Sequence, residues 1–308
     1  MKIIKLFFIT VIITSSMFAG CSGKTAYNMY TNRQRSSAGL EKKYIQMDNY
    51  NLAYLEGGQG ETIVFIHGFG AEKDYWTPMS KYLKEYHVVI PDLPGSGESE
   101  KLDNMSFDIE AQADRIDLFV RKLNLGKIFI AGNSMGGHIA GIYAVKYPDN
   151  ISGLILINNA GINSPEKSDL MKNLEQGKNP LILNSVEDFD NLLYFGYYKK
   201  PYIPSPIKTY LAEEGLKNKP NNEKVWKDMM GKPMMLEDHL VELSMPVLII
   251  WGANDRIIDV SCVGVMENKL KKSKTHIIEN CGHAPMLERP EETAGYIKDF
   301  IEKDIFEL

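Results

Sequence analysis

The sequence predicts an α/β fold, in which a largely parallel sheet of eight strands carries helices on both faces and a helical insertion follows the sixth strand. Three observations predict it. The chain has 308 residues, which is enough for one large α/β domain. Short apolar runs alternate with longer segments of helical periodicity, as is typical of parallel sheets. Several runs are apolar at consecutive positions, as expected for strands buried on both faces.

Eight apolar runs are the candidate strands. The tight turn Asp48–Asn51 joins the first two and predicts an antiparallel hairpin. In chain order the runs are Tyr44–Met47, Leu52–Leu55, Thr62–Ile66, Val88–Ile90, Ile128–Ala131, Leu154–Ile157, Val247–Trp251 and His276–Ile278.

Helices are predicted between the later runs. Residues 108–123 carry one apolar stripe at helical spacing. The last helix begins at Pro290, a favoured first helical position. Residues 161–240 break the alternation, because they contain helical patterns, prolines and many aromatics but no convincing strand. The domain core is therefore predicted to comprise residues 44–160 and 241–308.

The first 43 residues differ from the rest. Residues 1–20 have a short basic region, an apolar run and small residues, which is the layout of an export signal. The segment ending at Cys21 resembles a bacterial lipoprotein signal, in which the cysteine is lipidated, although Phe18 stands where leucine is usual. An uncleaved signal anchor is the alternative. Residues 21–43 are expected to be a lipidated cysteine and a flexible tether, so the protein is predicted to be exported and membrane-anchored.

Composition narrows the function classes. The net charge of −5 provides no basic face of the kind that binds nucleic acid. No His/Cys cluster has metal-ligand spacing and no Gly-rich phosphate loop is present, so neither a metal nor a cofactor is predicted, and no obligate protein partner is evident. Beyond Cys21 only Cys262 and Cys281 remain; buried free thiols are expected, with a disulfide as the alternative.

The strongest chemical motif is Gly132-Asn133-Ser134-Met135-Gly136. It follows the run Ile128–Ala131 and opens a helix near Gly137. A serine on such a sharp strand-to-helix turn is lifted clear of the sheet, and the glycines let the backbone fold tightly around it. Ser134 is therefore the predicted nucleophile.

A serine nucleophile needs a base, and the base needs a carboxylate to orient it. Of the six histidines, His283 follows the eighth run in a loop that can place it over the serine. Asp255 follows the seventh run and completes the chain order Ser, Asp, His. Asp259 is the alternative acid. An acid after the sixth run is excluded, because Asn158 and Asn159 stand there.

Acyl transfer also requires hydrogen-bond donors for the oxyanion. The N–H of Met135 is one candidate, because that residue follows the nucleophile. The second is the N–H of Phe69 in the loop His67-Gly68-Phe69-Gly70. The turn that begins at Asp92 is expected to be structural.

Together these stretches resemble the α/β-hydrolase superfamily over about residues 44–308, and within it the membrane-bound monoacylglycerol lipases and related bacterial lipases. The matching stretches are His67–Ala71 with Lys73, Asp74 and Trp76, the turn around Asp92, Gly132–Gly137, Trp251-Gly252 with Asp255, Asp259–Ser261, and Glu279–His283 with Glu288–Pro290.

The resemblance implies a serine hydrolase of carboxylic esters, with a lipid or small ester as substrate. It also implies a cap built from residues 161–240 over the strand ends. Leu193, Phe195 and Tyr198 in that insertion are predicted to line an acyl-chain slot, the alternative being the cap's own core. Two other hypotheses are a hydrolase of carbon–carbon bonds, since Asn133 also occurs before the serine in such enzymes, and a non-catalytic binding protein.

Overall fold

The computed structural model describes residues 22–101 and 104–305. Its sheet has eight strands in the order β1-β2-β4-β3-β5-β6-β7-β8. All pairs are parallel except β1 with β2 and β2 with β4. The predicted fold class, the hairpin and all eight strands are confirmed. The strands are β1 (Glu41–Gln46), β2 (Asn51–Gly57), β3 (Thr62–Ile66), β4 (His87–Pro91), β5 (Ile128–Asn133), β6 (Ile151–Ile157), β7 (Val247–Gly252) and β8 (Ser273–Ile278).

Twelve α-helices lie in the described residues. They are α1 (Gly23–Ala38), α2 (Thr77–Ser80), α3 (Ile109–Lys122), α4 (Met135–Lys146), α5 (Asp169–Glu175), α6 (Asp188–Gly196), α7 (Ser205–Lys217), α8 (Lys219–Met229), α9 (Leu236–His239), α10 (Cys262–Lys269), α11 (Pro285–Glu288) and α12 (Pro290–Asp299). Short 3₁₀ turns occur at Lys73–Trp76, Pro148–Asn150 and Leu240–Glu242, and a π-helical turn at Phe300–Asp304.

The sheet separates two apolar cores, because successive side chains of a strand point to opposite faces. Val64, Ile130 and Ile249 face the core beneath α3 and α4. Their neighbours Phe65, Ala131 and Leu248 face the core beneath α2 and α12. This two-sided burial explains why the central strands are apolar at consecutive positions.

Residues 22–43 do not form the flexible tether that the sequence predicted. Residues 23–38 form α1, whose N-cap is the Ser22 hydroxyl and which ends at Gly39 in the left-handed conformation (φ 70°). The helix packs closely on α7, since a Cβ on Gly23 would lie 2.1 Å from the Pro206 carbonyl oxygen. Strand β1 begins at Glu41, three residues before the predicted core boundary. The proposed signal and Cys21 lie outside the described residues.

Five helices, α5 to α9, connect β6 to β7. A small cluster of Leu183, Phe189, Leu193 and Ala212 packs among the first three of them. The last helix joins the main core instead, because Leu236 packs against Gly141 of α4. No helix among the described residues has the length and apolar character needed to cross a bilayer. Cys262 and Cys281 are both buried free thiols, as expected.

Candidate active site

Ser134 sits on a strained turn between β5 and α4. Its backbone has φ 57° and ψ −123°, a conformation that non-glycine residues rarely adopt. Glycine is required around it, because a Cβ on Gly132 would lie 2.1 Å from the Gly136 carbonyl oxygen. The turn leaves the serine partly exposed, whereas Asn133 and Met135 on either side are buried.

His283 and Asp255 form the expected hydrogen-bonded pair. The His283 Nδ1 and the Asp255 Oδ2 are 2.7 Å apart, and the carboxylate is fully buried. Its other oxygen, Oδ1, accepts hydrogen bonds from the N–H groups of Ile257 and Ile258. A carboxylate with these donors is an acceptor, so Nδ1 carries the proton and the Nε2 lone pair is free to act as a base. Asp259, the alternative acid, instead caps its own turn through the Ser261 N–H.

Asn158 is a residue of the site that sequence reasoning missed. Its Nδ2 donates to Asp255 Oδ2 at 2.7 Å, and its Oδ1 accepts from the Gly252 N–H at 3.3 Å. The residue is fully buried and has a positive φ of 44°. The sequence excluded an acid at this position, but it did not indicate that the amide there would orient the acid of the neighbouring strand.

The loop that carries His283 is held from two sides. The Asn133 Nδ2 donates to the His283 carbonyl oxygen at 3.0 Å, which ties the loop to the serine turn. The His283 N–H donates to the carbonyl oxygen of Gly196, at the end of α6, at 3.2 Å. The histidine is thus fixed jointly by the sheet and by the cap.

The two predicted oxyanion donors lie beside the serine turn. Met135 is the first residue of α4, so its N–H has no acceptor within the helix. The loop after β3 approaches closely, because a Cβ on Gly68 would lie 3.1 Å from the Ser134 Cβ. The neighbouring Phe69 packs edge-on against Trp226 of the cap.

The other histidines have structural partners. His67 is buried, which lowers its pKa, and its Nε2 accepts from the Leu93 N–H at 3.0 Å. His138 bonds the Met234 carbonyl oxygen at 2.8 Å. His87 contacts Glu56, His239 contacts Glu242, and His276 stacks on Tyr296.

Helix α1 is bonded to the segment that follows the oxyanion loop. The Arg35 guanidinium donates two hydrogen bonds to the Asp74 carboxylate, at 2.6 and 2.5 Å. The Tyr27 hydroxyl donates to Glu72 Oε1. Burial and the charge of Asp92 raise the pKa of Glu72 to about 7. The helix therefore supports this loop, a role that no signal in the sequence indicated.

Ser134 and His283 line a cavity of about 610 Å³, a volume typical of ligand sites. The cap side of the cavity is apolar and includes Leu183, Phe189, Leu192, Leu193, Tyr197 and Leu211. The side formed by α1 and the start of β1 is polar and includes Lys24, Tyr27, Asn28, Asn32 and Arg35 of α1 and Lys42 of β1.

Only one of the three predicted slot residues lines this cavity. Leu193 does, whereas Phe195 is buried against Tyr194 and Tyr198 projects into solvent with 41% of its surface exposed. Phe195 lies two positions after Leu193 in α6 and so points to a different face of the helix, and Tyr198 lies beyond the end of α6 in an irregular segment. No group of three or more His, Cys, Asp or Glu side chains within residues 22–101 and 104–305 is arranged to hold a metal ion.

Comparisons with known proteins support the resemblance to the α/β hydrolases that the sequence indicates. The family model for the alpha/beta hydrolase fold matches residues 61–290. Lipase 1 of Psychrobacter immobilis is 34% identical, over 87% of this chain and 86% of its own length. A monoacylglycerol lipase of Xenopus laevis is 31% identical, over 87% and 84%.

Solved structures agree. A bacterial membrane phospholipase A has a TM-score of 0.90 and 39% identity, with 96% of each chain covered. Hydrolases of meta-cleavage products share the fold at 21–23% identity. The chain therefore belongs to the α/β-hydrolase fold family, and within it to the lipases and esterases that hydrolyse carboxylic esters.

Proposed function

We propose that the chain hydrolyses acyl esters of glycerolipids, with acylglycerols as preferred substrates, through an acyl-enzyme on Ser134. The Ser134 Oγ attacks the ester carbonyl carbon while its proton passes to His283 Nε2. The N–H groups of Met135 and Phe69 bind the developing oxyanion. The alcohol leaves with the proton from His283. Water then attacks the acyl-enzyme with His283 again as base, which releases the fatty acid.

The observation that carries this proposal is the hydrogen-bonded line from Asn158 through Asp255 to His283, which ends at the cavity that Ser134 lines. Because Nδ1 is the donor to Asp255, the other imidazole nitrogen is free to accept a proton. The strained backbone of Ser134 supports a catalytic role, since strain of this kind concentrates at functional sites.

The two sides of the cavity support a glycerolipid. The apolar cap side suits an acyl chain and the polar α1 side suits a glycerol headgroup. The Arg35 guanidinium is bonded to Asp74 and the Lys42 ammonium to Glu98 at 2.6 Å, so these cations are already neutralised. This pairing favours an uncharged glycerol over an anionic headgroup. The relatives include proteins named as monoacylglycerol lipases and one named as a membrane phospholipase A, which supports a lipid ester as substrate.

The same pairing disfavours the carbon–carbon hydrolase hypothesis. One fold neighbour is named for 2-hydroxy-6-oxo-6-phenylhexa-2,4-dienoate, which is a carboxylate. An anionic substrate would have to compete with Asp74 and Glu98 for the paired cations.

The test is hydrolysis of p-nitrophenyl esters, monoacylglycerols and phosphatidylglycerol by the full chain, with acyl chains from short to long. Turnover that depends on Ser134 and is highest on medium- or long-chain monoacylglycerols supports the proposal. Higher turnover on the phospholipid would reassign the headgroup, and no turnover on any ester by folded protein would refute the proposal.

A variant pair tests the acyl-chain slot. Leu193→Asp places a charge in the apolar side of the cavity and should abolish long-chain hydrolysis while sparing acetate esters. The control Val186→Asp, on the exposed surface of the cap, should change neither. Equal loss on short and long esters with Leu193→Asp would refute the slot.

A further inference from the structure

The segment 197–204 is an irregular stretch between α6 and α7 with the sequence Tyr-Tyr-Lys-Lys-Pro-Tyr-Ile-Pro. Its exposed part, Tyr198 to Tyr202, is here named the 198–202 surface. Tyr202 has 78% of its surface exposed and Tyr198 has 41%. Folding gains little from aromatic rings left in water, and tyrosine beside lysine is the composition found at membrane–water boundaries.

The start of this segment is fixed beside the catalytic histidine. The Tyr198 N–H donates to Glu288 Oε2 at 2.8 Å, and the same carboxylate accepts from the Gly282 N–H at 2.7 Å. Arg256 donates to the Tyr197 carbonyl oxygen at 2.7 Å. Tyr197 itself lines the cavity. The 198–202 surface therefore begins at a fixed point next to the cavity and His283.

The other end of the segment meets the start of α1. Gly23 packs against Pro206, and Ser22 and Lys24 share a groove with Ser205 and Pro206. The chain before Ser22 carries the predicted export signal and lipidated cysteine. A membrane attachment at that point would bring the bilayer to the side of the molecule on which residues 197–206 lie.

The charges of the segment suit an anionic bilayer. Within residues 22–101 and 104–305, neither Lys199 nor Lys200 forms an ion pair, whereas Lys208 a short distance along α7 is paired with Asp190 at 2.5 Å. The nearby Glu288 is occupied by backbone N–H groups. Two unpaired lysines on a chain of net charge −5 form a local cationic site.

We propose that the 198–202 surface docks on a bilayer that contains anionic lipid, with the Tyr198 and Tyr202 rings at the headgroup level and the Lys199 and Lys200 ammonium groups on lipid phosphates. Docking there brings the cavity to the membrane, so that an ester lipid reaches Ser134 without crossing bulk water. Delivery of the ester lipid to Ser134 rests on the proposed function, whereas the docking itself does not.

The test uses full-chain protein reconstituted in vesicles of phosphatidylethanolamine and phosphatidylglycerol with brominated acyl chains. Tyr202→Trp introduces a fluorophore in the 198–202 surface, and Tyr44→Trp introduces one on the exposed face of β1 as a matched control. Wild-type protein corrects for the three native tryptophans. We expect the bromines to quench the tryptophan of Tyr202→Trp about twofold or more beyond that of Tyr44→Trp. Equal quenching overturns the proposal, whether or not the protein has activity.

A charge variant tests the lipid specificity. Lys199→Gln with Lys200→Gln should lower turnover of a monoacylglycerol in phosphatidylglycerol vesicles roughly fivefold. Turnover in phosphatidylcholine vesicles and of p-nitrophenyl acetate should not change. An equal loss in both kinds of vesicle, or no loss in either, overturns the electrostatic part of the proposal. A loss on p-nitrophenyl acetate would show a disturbed His283 loop instead.

Discussion

Two buried aspartates at strand ends of this sheet have different roles, and β3, β5 and β6 separate their strands. Asp92 follows β4 and accepts from the Lys73 ammonium at 2.7 Å and from the N–H groups of Lys73 and Glu98. Asp255 follows β7 and accepts from the His283 imidazole, the Asn158 amide and two N–H groups. Both carboxylates are fully buried.

The two aspartates differ in the charged or titratable group that each carboxylate contacts. Lys73 carries a permanent charge; burial lowers its pKa, but Asp92 and Asp74 outweigh that effect and raise it. Lys73 therefore keeps its charge at physiological pH and links the loop after β3 to the loop after β4. In the proposed mechanism the imidazole beside Asp255 accepts and returns a proton through its Nε2. The environment of a carboxylate thus determines its role more than its burial or its position after a strand.

The largest expected effect comes from Asp255→Asn. The amide cannot hold the Nδ1–H tautomer of His283, so kcat should fall about 10⁴-fold with little change in the unfolding free energy. Ester hydrolysis and urea unfolding measure the two quantities. A variant that unfolds but keeps its activity per folded molecule would reverse the roles assigned to the two aspartates.

Breaking the other pair should affect stability instead. Lys73→Met leaves Asp92 buried without its cation and should lower the unfolding free energy by about 3–5 kcal/mol in urea titrations. The double variant Lys73→Met with Asp92→Asn should recover part of that loss, because no uncompensated charge remains. A Lys73→Met protein as stable as wild type would contradict the structural role of the pair.

Asn158 sharpens the comparison, because its amide donates to Asp255 and does not line the cavity. Asn158→Leu should lower kcat about 10–100-fold, since the Asp255–His283 pair loses its orientation, and should leave KM unchanged. Asn159→Leu is the matched control, as that side chain donates only to the Ala160 carbonyl oxygen. A change confined to KM would show that Asn158 acts on the substrate rather than on the acid.

The smallest expected effect concerns Glu72, whose pKa is raised to about 7 by burial and by Asp92. An acid whose pKa is raised on folding contributes stability at pH values below its unfolded-state pKa, which is near 4.5 for Glu72. That contribution is lost as the pH rises through the folded-state pKa of about 7. Glu72→Gln keeps an acceptor for Tyr27 without the charge. The variant should match wild type at pH 4 and gain roughly 2 kcal/mol at pH 8. An equal difference at both pH values would exclude titration of Glu72 as the cause.

The sequence predicts the regions that are determined by local residue patterns, and it does not predict those that are determined by tertiary contacts. The strands and the Ser134 turn are dictated by local patterns: apolar runs buried on both faces, and glycines where an added Cβ would lie as close as 2.1 Å to a carbonyl oxygen. Chain order then indicated Asp255 and His283. Asn158 was not recognised, because an asparagine carries no sign of which strand its amide will reach.

Helix α1 shows where such patterns fail. Its sequence is polar with only Ala26, Thr31 and Ala38 buried, so no apolar stripe marks it. It is held by Tyr27 on Glu72 and by Arg35 on Asp74, contacts that only the tertiary structure brings together. In the cap, likewise, Leu193 and Phe195 are both buried in α6, but Leu193 lines the cavity and Phe195 does not, a difference that composition does not reveal.

The central claim is the acyl-enzyme on Ser134. Its most direct test is mass spectrometry of full-chain protein, acid-quenched during turnover of a medium-chain p-nitrophenyl ester and digested to peptides. We expect the peptide that contains Gly132–Gly136 to gain the mass of one acyl group. In Ser134→Ala we expect neither that adduct nor turnover. Undiminished turnover in Ser134→Ala, or an acyl group on another residue, would contradict it.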